Sequence, residues 1–167
     1  CIDADFGYYV TSSGSSSQTP ASTGHYVDST ASTGQTPCLA GTYNPTTAAT
    51  SSAACQTADP GYKAPNSGMG QQTACSPGTY QPDSGQTACL DADTGNYVGS
   101  SGSASQTPCE AGSSINATQS TSCTPAPQGS YAEGTGNTNP TTCPSGTSTI
   151  AQSSTSQADC LTDSDDD

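Results

Sequence analysis

The chain has 167 residues, of which 29% are hydrophobic and 5% aromatic, and it carries 14 acidic side chains against one lysine and no arginine. So few apolar residues cannot form an ordinary core, because their burial would not offset the roughly 1–2 kcal/mol of backbone entropy that each ordered residue costs. The acidic excess would repel phosphate backbones, which excludes nucleic acid as a partner. No apolar run approaches the about 18 residues of a membrane helix, so we expect no transmembrane segment.

Nine cysteines, together with abundant Gly, Pro, Ser and Thr, point to what replaces the missing core. This composition is typical of small oxidised scaffolds outside the cell, in which disulfides restrict the unfolded chain. We therefore expect an extracellular protein, either secreted or held at the cell surface.

The first segment of the chain is used twice. It reads CIDADFGYYVTSSGSSSQTPA, and residues 89–109 read CLDADTGNYVGSSGSASQTPC, with fifteen of the first twenty positions identical. The first copy ends at Ala21 where the second ends at Cys109. If Ala21 is counted as a lost cysteine, the chain divides into intervals of 20 residues and of 14 or 17 residues. This pattern predicts tandem cysteine-delimited repeats over residues 1–160 and an acidic tail or linker at 161–167.

Most intervals carry a glycine shortly after the cysteine and a tyrosine one or two residues later, as at Gly41/Tyr43 and Gly78/Tyr80. Glycine permits a bend with positive φ, and tyrosine provides one large flat group to pack on a neighbour. Many intervals then end in a Gly or Ser turn followed by Gln-Thr-x-Cys, with no helical periodicity. The predicted fold is small and disulfide-rich, with β-hairpin and loop repeats in an elongated rod-like ladder that has little hydrophobic core.

Two short intervals contain a recognisable signature, CLAGTY at 38–43 and CSPGTY at 75–80. They resemble half of an ephrin-receptor-like or tumour-necrosis-factor-receptor-like cysteine-rich repeat, which has Cys-x-x-Gly-Thr-Tyr, a Ser/Gly turn and a closing cysteine. The resemblance covers about half of the chain. It implies an extended array of small cross-linked modules.

The interval lengths also predict the disulfide pairing, on the assumption that each short interval is closed by its two flanking cysteines. Two short intervals adjoin at Ala21, where Cys38 would have to close one and open the next, and the alanine removes this conflict. Each closed loop should contribute about 3 kcal/mol in the chain-entropy model. The predicted pairs are Cys38–Cys55, Cys75–Cys89, Cys109–Cys123 and Cys143–Cys160.

Cys1 has no partner in this scheme. It matches Cys89 and Cys160, each of which closes a short interval, so we expect Cys1 to pair with an upstream cysteine or to form an intermolecular disulfide. A second interpretation makes Cys1 the lipid-bearing first residue of a mature bacterial lipoprotein. The internal copy that begins with Cys89 favours the first interpretation.

Side chains for catalysis are scarce, since His25 is the one imidazole and Lys63 the one amine side chain. Neither a Ser/His/Asp arrangement with a second base nor a multi-histidine metal site can be assembled from them. We therefore expect no enzymatic activity and no organic cofactor.

Asp-x-Asp patterns suggest one metal, because calcium prefers several oxygen ligands. The terminal TDSDDD resembles the beginning of a thrombospondin type 3 calcium repeat; the alternative is a solvated acidic linker. The internal pairs are more typical of turns in solvated loops than of calcium sites or of the carboxylate pair of a glycosidase. The internal pairs are Asp3/Asp5 and Asp91/Asp93, and the terminal candidates for calcium are Asp163, Asp165 and Asp167.

Serine and threonine number 28 and 27 and recur in blocks such as SSGSSS, TTAATSS and TQSTS. In an exported protein this density is typical of carriers of O-linked sugars, although Ser and Thr also simply fill loops. Asn116, in Asn-Ala-Thr, is the one usable N-glycosylation site, because Asn44 and Asn139 are each followed by proline. We expect covalent glycans.

Two functions are consistent with these features. The first is structural: the chain is a building block of a microbial cell-surface stalk, coat or extracellular filament, whose partner is another copy of itself joined head to tail or a continuing repeat array. The second is an adhesin or receptor-like ectodomain that presents a recognition loop. Near-identical repeats favour the structural function.

Overall fold

The computed structural model describes residues 3–162, which form nine β-hairpins, each a two-stranded antiparallel sheet. This confirms the predicted hairpin-repeat fold. Two 3₁₀ turns, Ser52–Ala54 and Gln157–Asp159, are the helical elements of the described residues, and none of these has the length and apolarity to cross a membrane. The strands are β1 (Tyr8–Tyr9), β2 (Thr19–Pro20), β3 (His25–Tyr26), β4 (Thr36–Pro37), β5 (Thr42–Tyr43), β6 (Gln56–Thr57), β7 (Tyr62–Lys63), β8 (Thr73–Ala74), β9 (Thr79–Tyr80), β10 (Leu90–Asp91), β11 (Asn96–Tyr97), β12 (Thr107–Pro108), β13 (Ser113–Ser114), β14 (Thr124–Pro125), β15 (Ser130–Tyr131), β16 (Thr141–Thr142), β17 (Thr147–Thr149) and β18 (Cys160–Thr162).

The hairpins are distributed over two compact units. The first unit comprises the described residues up to 75 together with 81–89, and it contains β1 to β8. The second comprises 76–80 and the described residues from 90 onwards, and it contains β9 to β18. Each unit is built from the same repeat.

A small residue with almost no exposed surface marks the start of each repeat, and we number the repeat from this residue as position 1. Successive starts are 17 residues apart, except for 20 residues between Cys38 and Ala58. The last start, Cys143, is only half-buried. The other starts, each at most 1% exposed, are Ala4, Ala21, Cys38, Ala58, Cys75, Ala92, Cys109 and Ala126.

This period differs from the cysteine intervals of the sequence. In the 20-residue interval that begins at Cys55, residues Gln56–Thr57 form the second strand of the preceding hairpin, and the next repeat begins at Ala58. A closing cysteine therefore lies three residues before a repeat boundary. Counting from cysteine to cysteine lengthens one interval by three residues and shortens the next by three, which hides the 17-residue spacing that most repeat starts share.

The interior of each repeat is made of small side chains and backbone at positions 1, 4 and 7. Position 4 is glycine in all nine repeats, with φ between 78° and 85°. Position 7 is occupied by residues such as Val27, Val98 and Ala64, which are 0–3% exposed. The described residues therefore fold without a conventional core, because the buried volume is filled mainly by alanine, cysteine, valine, glycine and main chain, with a few polar side chains.

Successive repeats within each unit are joined by a recurring set of backbone hydrogen bonds, with one exception at Gly129, whose amide donates to the Thr149 hydroxyl at 2.9 Å. The amide of position 4 donates to the carbonyl of position 7 in the next repeat, the amide of position 7 donates to position 12 of the next repeat, and the amide of position 11 in the next repeat donates back to position 1. In the first unit these bonds are Gly24 N to Asn44 O at 2.7 Å, Val27 N to Ala49 O at 2.9 Å and Ala48 N to Ala21 O at 2.8 Å.

The glycine at position 4 also approaches the repeat after next. A Cβ atom built on Gly24 would overlap the carbonyl oxygen of Gly68, and in the second unit one built on Gly95 would overlap that of Gly136. Gly68 and Gly136 are both position 11 of their repeats. At Gly24 and Gly95, position 4 therefore requires glycine for two reasons, its positive φ and the carbonyl that occupies the space of a side chain.

A buried polar side chain at position 7 is fully paired. Asn44, which is 0% exposed, donates from Nδ2 to the carbonyl of His25 at 3.0 Å. Its Oδ1 accepts from the amide and the hydroxyl of Thr46 at 3.0 and 2.8 Å. The Asn-Pro-Thr sequence thus has a structural role, in which the amide side chain links the second and third hairpins.

Candidate functional site

Four repeats are closed by disulfides between positions 1 and 15. Their Cα–Cα distances of 5.6 to 5.8 Å lie in the range usual for disulfides. In the first and last of these repeats, three extra residues and a 3₁₀ turn precede the second cysteine. The bonds join the pairs that the interval lengths predict, namely Cys38–Cys55, Cys75–Cys89, Cys109–Cys123 and Cys143–Cys160.

Repeats that begin with alanine are closed differently, by a pair of hydrogen bonds. The amide of Asp59 donates to Gln72 Oε1 at 2.7 Å, and Gln72 Nε2 donates back to Asp59 Oδ2 at 2.7 Å. Asp59 is position 2 and Gln72 is position 15, the position of the closing cysteine in the other repeats. The same two bonds occur in Asp5–Gln18 and Asp93–Gln106.

The repeat that begins at Ala21 belongs to this hydrogen-bonded type. Ala21 is 0% exposed, and the amide of Ser22 donates to Gln35 Oε1 at 2.7 Å. Gln35 Nε2 donates to the Ser22 hydroxyl at 3.4 Å. The cysteine missing at Ala21 is therefore matched by a glutamine at position 15, and the hairpin has its own closure.

The cysteine pattern of the sequence does not predict the role of this glutamine in closing the hairpin. The available signal was the spacing, because an Asp or Ser precedes a glutamine by 13 residues in four repeats. The repeat that begins at Ala126 has proline at both positions, Pro127 and Pro140, and so cannot form the pair. Closure by hydrogen bonds thus accounts for four of the five alanine-type repeats.

The remaining predicted site residues are distributed as follows. Asn116 is exposed just after β13, and its Nδ2 lies 3.3 Å from Asn139 Oδ1 as a donor. Its side chain is therefore accessible for glycosylation, which stays a prediction. The intermolecular disulfide and the calcium ligands fall outside the described residues and also stay predictions, at Cys1, Asp163, Asp165 and Asp167.

Three of the four internal carboxylates, Asp5, Asp91 and Asp93, accept hydrogen bonds from glutamine side chains. Asp5 and Asp93 serve the hairpin closures described above, and Asp91 Oδ1 accepts from Gln119 Nε2 at 2.8 Å. Within residues 3–162 no three side chains of His, Cys, Asp or Glu cluster as a metal site would require. His25 lies half-buried on β3. Asp5, Asp91 and Asp93 are thus accounted for as parts of the scaffold.

A groove recurs where an alanine-type repeat meets the following cysteine-type repeat. In the first unit it has a volume of about 320 Å³ and is lined by Tyr26, Thr36, Leu39, Thr42, Cys38 and Cys55. The counterpart in the second unit has about 210 Å³ and is lined by Tyr97, Glu110, Ser113, Ser122 and Cys123. The grooves differ chiefly in that the exposed Leu39 is replaced by Glu110.

Comparison with known families identifies one segment. Residues 112–160 match the family model described as tyrosine-protein kinase ephrin type A/B receptor-like. This confirms the resemblance to ephrin-receptor-like repeats, in a segment that includes the Cys143–Cys160 disulfide. A search of curated proteins found none that matches the chain. Together with the disulfides, the family match indicates an extracellular, receptor-like type of module.

Proposed function

We propose that the chain is a structural building block of a microbial cell-surface stalk, coat or extracellular filament, in which copies join head to tail. The support comes from the contact between repeats, which uses the same backbone hydrogen bonds within each unit except at Gly129, whose amide donates to the Thr149 hydroxyl. A contact that adds identical repeats without closing on itself generates a linear assembly. The proposed role is non-enzymatic.

The observation that carries the proposal is the open space at Gly146. This residue is position 4 of the repeat that begins at Cys143, and none of the described residues lies within 4 Å of a Cβ atom built on it. In contrast, the equivalent Gly112 meets the carbonyl oxygen of Ser153. Ile150, in the same repeat as Gly146, is 80% exposed. This face offers the groups of a repeat contact to a further repeat.

The complementary face lies in the first unit. A groove of about 320 Å³ there is lined by Ala4, Val10, Gly14 and Ala31 among others. Val10 is position 7 of its repeat and Ala31 is position 11 of the next. Between repeats of the same unit, the position 7 carbonyl accepts a hydrogen bond from the glycine amide of the preceding repeat, and the position 11 carbonyl lies against the glycine two repeats earlier. If the register continues between copies, Gly146 N of one copy donates to Val10 O of the next, and Ala31 O of that copy lies against Gly146.

The test compares two alanine substitutions at glycines with positive φ. Gly146→Ala places a methyl group where the neighbouring copy would bring the Ala31 carbonyl. Gly134→Ala is the matched control, because Gly134 also has positive φ, at 66°, and open surroundings but lies outside the proposed contact. The secreted chain is examined by electron microscopy and light scattering at physiological salt, where screening over about 8 Å reduces repulsion between the acidic copies.

We expect the unaltered chain and Gly134→Ala to form linear assemblies and Gly146→Ala to remain monomeric. Assemblies that persist in Gly146→Ala would contradict the proposed contact. A chain that stays monomeric at every concentration would contradict self-assembly itself and leave a longer repeat array of one polypeptide as the structural role. Non-reducing electrophoresis of the same samples shows whether Cys1 adds a covalent link.

The alternative function is a binding module of adhesin or receptor type, and the family match over residues 112–160 favours it. The grooves beside the cysteine-type repeats are where such a module would hold a ligand. A monodisperse monomer that retains a defined ligand through purification would support this alternative over the filament. We also propose that glycans on the Ser/Thr blocks and on Asn116 cover the exposed surface.

A further inference from the structure

Two sets of hydroxyl groups on the hairpin strands differ in their hydrogen bonding. Those at position 5, on the first strand, donate to a backbone carbonyl three residues earlier at 2.7 or 2.8 Å. They are structural and occupied by these bonds. The members of this class are Thr42, Thr79, Ser113, Ser130 and Thr147.

Threonines at position 16, on the second strand, form the other class; six repeats have one, of which Thr73 faces Lys63, Thr124 faces Ser114 and the other four face a tyrosine. Thr19, Thr36, Thr107 and Thr141 are exposed, and their hydroxyls make no hydrogen bond with any part of the chain that the structure describes. Three of the four are followed by proline, which restricts the preceding residue to an extended backbone. These hydroxyls are thus held at fixed positions on the strand and left unused.

Each of these threonines lies directly opposite a tyrosine. The strand register pairs Tyr26 with Thr36 and Tyr97 with Thr107, and it treats the other two in the same way. Directly opposed residues of an antiparallel pair project from the same face, with Cβ atoms about 4.5–5.5 Å apart. Among the described hairpins the arrangement occurs in four of the alanine-type repeats, whereas in the disulfide hairpins Tyr43 faces Gln56 and Tyr80 faces Leu90.

The Tyr26–Thr36 pair lies in a surface groove. Tyr26 and Thr36 both line it, as does Leu39, which is 76% exposed. Its volume of about 320 Å³ lies at the lower end of the range for ligand sites, roughly 300–1,000 Å³. A sugar ring has an apolar C–H face and a polar rim, and a half-buried tyrosine whose hydroxyl reaches water matches both.

We propose that Thr36 and its counterparts Thr19, Thr107 and Thr141 are O-glycosylated, with the first sugar packed on the opposed tyrosine. Thr Oγ1 attacks the anomeric carbon of a nucleotide-activated sugar and forms the glycosidic C–O bond. The bond from that carbon to phosphate breaks, its electron pair leaves with the nucleoside diphosphate, and the hydroxyl proton passes to a base of the transferase. The proposal rests on the extracellular placement of the chain and not on head-to-tail assembly.

Glycopeptide mapping of the native extracellular material tests the sites. We expect higher occupancy at the four threonines than at the serines of the loop SSGSSS, and no sugar on the position 5 hydroxyls. Sugar found only in the loop blocks or on Asn116, or no sugar at all, would overturn the proposal. Neither result bears on assembly, which is read from particle length.

Packing of the sugar on tyrosine is tested separately with variants of the glycosylated protein. Tyr26→Ala should expose the sugar on Thr36 and make its removal by a glycosidase several-fold faster. Tyr43→Ala is the matched control, since Tyr43 faces Gln56 and not a threonine. Thr36→Val should remove one glycan from the peptide that contains it. Equal rates of sugar release in both tyrosine variants would overturn the packing.

Discussion

Two separate constraints require glycine at position 24. Its φ is +78°, a conformation that costs other residues roughly 1–2 kcal/mol. The carbonyl of Gly68 also fills the space of a Cβ atom. The main chain of the repeat after next therefore restricts position 24 to glycine.

Gly24→Ala should accordingly destabilise the protein by more than strain in φ alone. Gly134→Ala carries only the conformational term and should cost about 1–2 kcal/mol of unfolding free energy. Gly24→Ala must in addition displace a backbone carbonyl, so we expect a clearly larger loss or failure to fold. Urea denaturation of both variants measures the difference. Equal losses would show that the close approach of Gly68 does not constrain this position.

The sequence predicts a bend at this glycine. It does not predict that the carbonyl of Gly68 also leaves no room for a side chain there. A glycine two residues before a tyrosine is a local pattern, and its conformational meaning follows from the residue type alone. The approach of Gly68 to Gly24 depends on how repeats stack, which is a long-range property without a local signal. The hydrogen bonds that the buried Asn44 side chain makes were not predicted either, because the neighbouring residues do not show that this amide is buried.

A hairpin of this protein is closed at one place by either of two devices. Position 15 is cysteine in one type of repeat and glutamine in four repeats of the other type. The disulfide constrains the unfolded chain, whereas the Asp–Gln pair adds hydrogen bonds worth about 0.5–1.5 kcal/mol each. The same backbone frame accommodates both.

Interchange of the two devices is a direct test of this equivalence. The double variant Ala21→Cys/Gln35→Cys places cysteines at positions 1 and 15 of the second repeat, as in Cys75 and Cys89. We expect a disulfide to form without added free thiol and to stabilise the protein by up to about 3 kcal/mol, less the two hydrogen bonds lost.

Thiol titration and the urea midpoint measure the result, and the single variants serve as controls that each add one free thiol. Two titratable thiols in the folded double variant would contradict the equivalence of these positions.

The spacing of cysteines predicts which pairs bond, because each pair brackets a loop of similar size. It misplaces the repeat boundary, because a closing cysteine such as Cys55 precedes the boundary by three residues. Hydrogen-bonded closures were not predicted, since an Asp and a Gln 13 residues apart are unremarkable unless the repeat phase is already known.

The described part of the chain depends on cross-links to an unusual degree. Its buried side chains are mainly alanine, cysteine and valine, and five of its large hydrophobic residues, Phe6, Leu39, Leu90, Ile150 and Leu161, are 47–80% exposed. In the chain-entropy model four loops of this size contribute on the order of 12 kcal/mol. A typical domain has a total margin of about 5–15 kcal/mol.

Reduction followed by alkylation should therefore unfold most of the protein. We expect backbone amides to lose protection against hydrogen exchange in both types of repeat, because the hydrogen-bonded hairpins stack on those held by disulfides. An alkylated but unreduced sample is the control. If the alanine-type repeats kept their protection after reduction, their own closures and the small buried residues would be sufficient for folding.

Composition was enough to predict the class of molecule, since low hydrophobicity with many cysteines permits few alternatives to a disulfide-linked repeat. Assembly could not be predicted in the same way. The candidate contact at Gly146 depends on backbone groups that are left accessible in the folded repeat. The residue type does not reveal this accessibility, because every repeat has glycine at the same position.

Closure within a single repeat has a consequence for how such a gene can change. Both cysteines of a disulfide lie in one repeat, as with Cys109 and Cys123, so duplication or deletion of a repeat changes the number of cysteines by two or by none. Recombination can therefore alter the length of the encoded array without creating an unpaired thiol. The adjoining alanine-type repeats at Ala4 and Ala21 are what such an event would leave, an irregular order of repeats in which both of these hairpins still have their own closures.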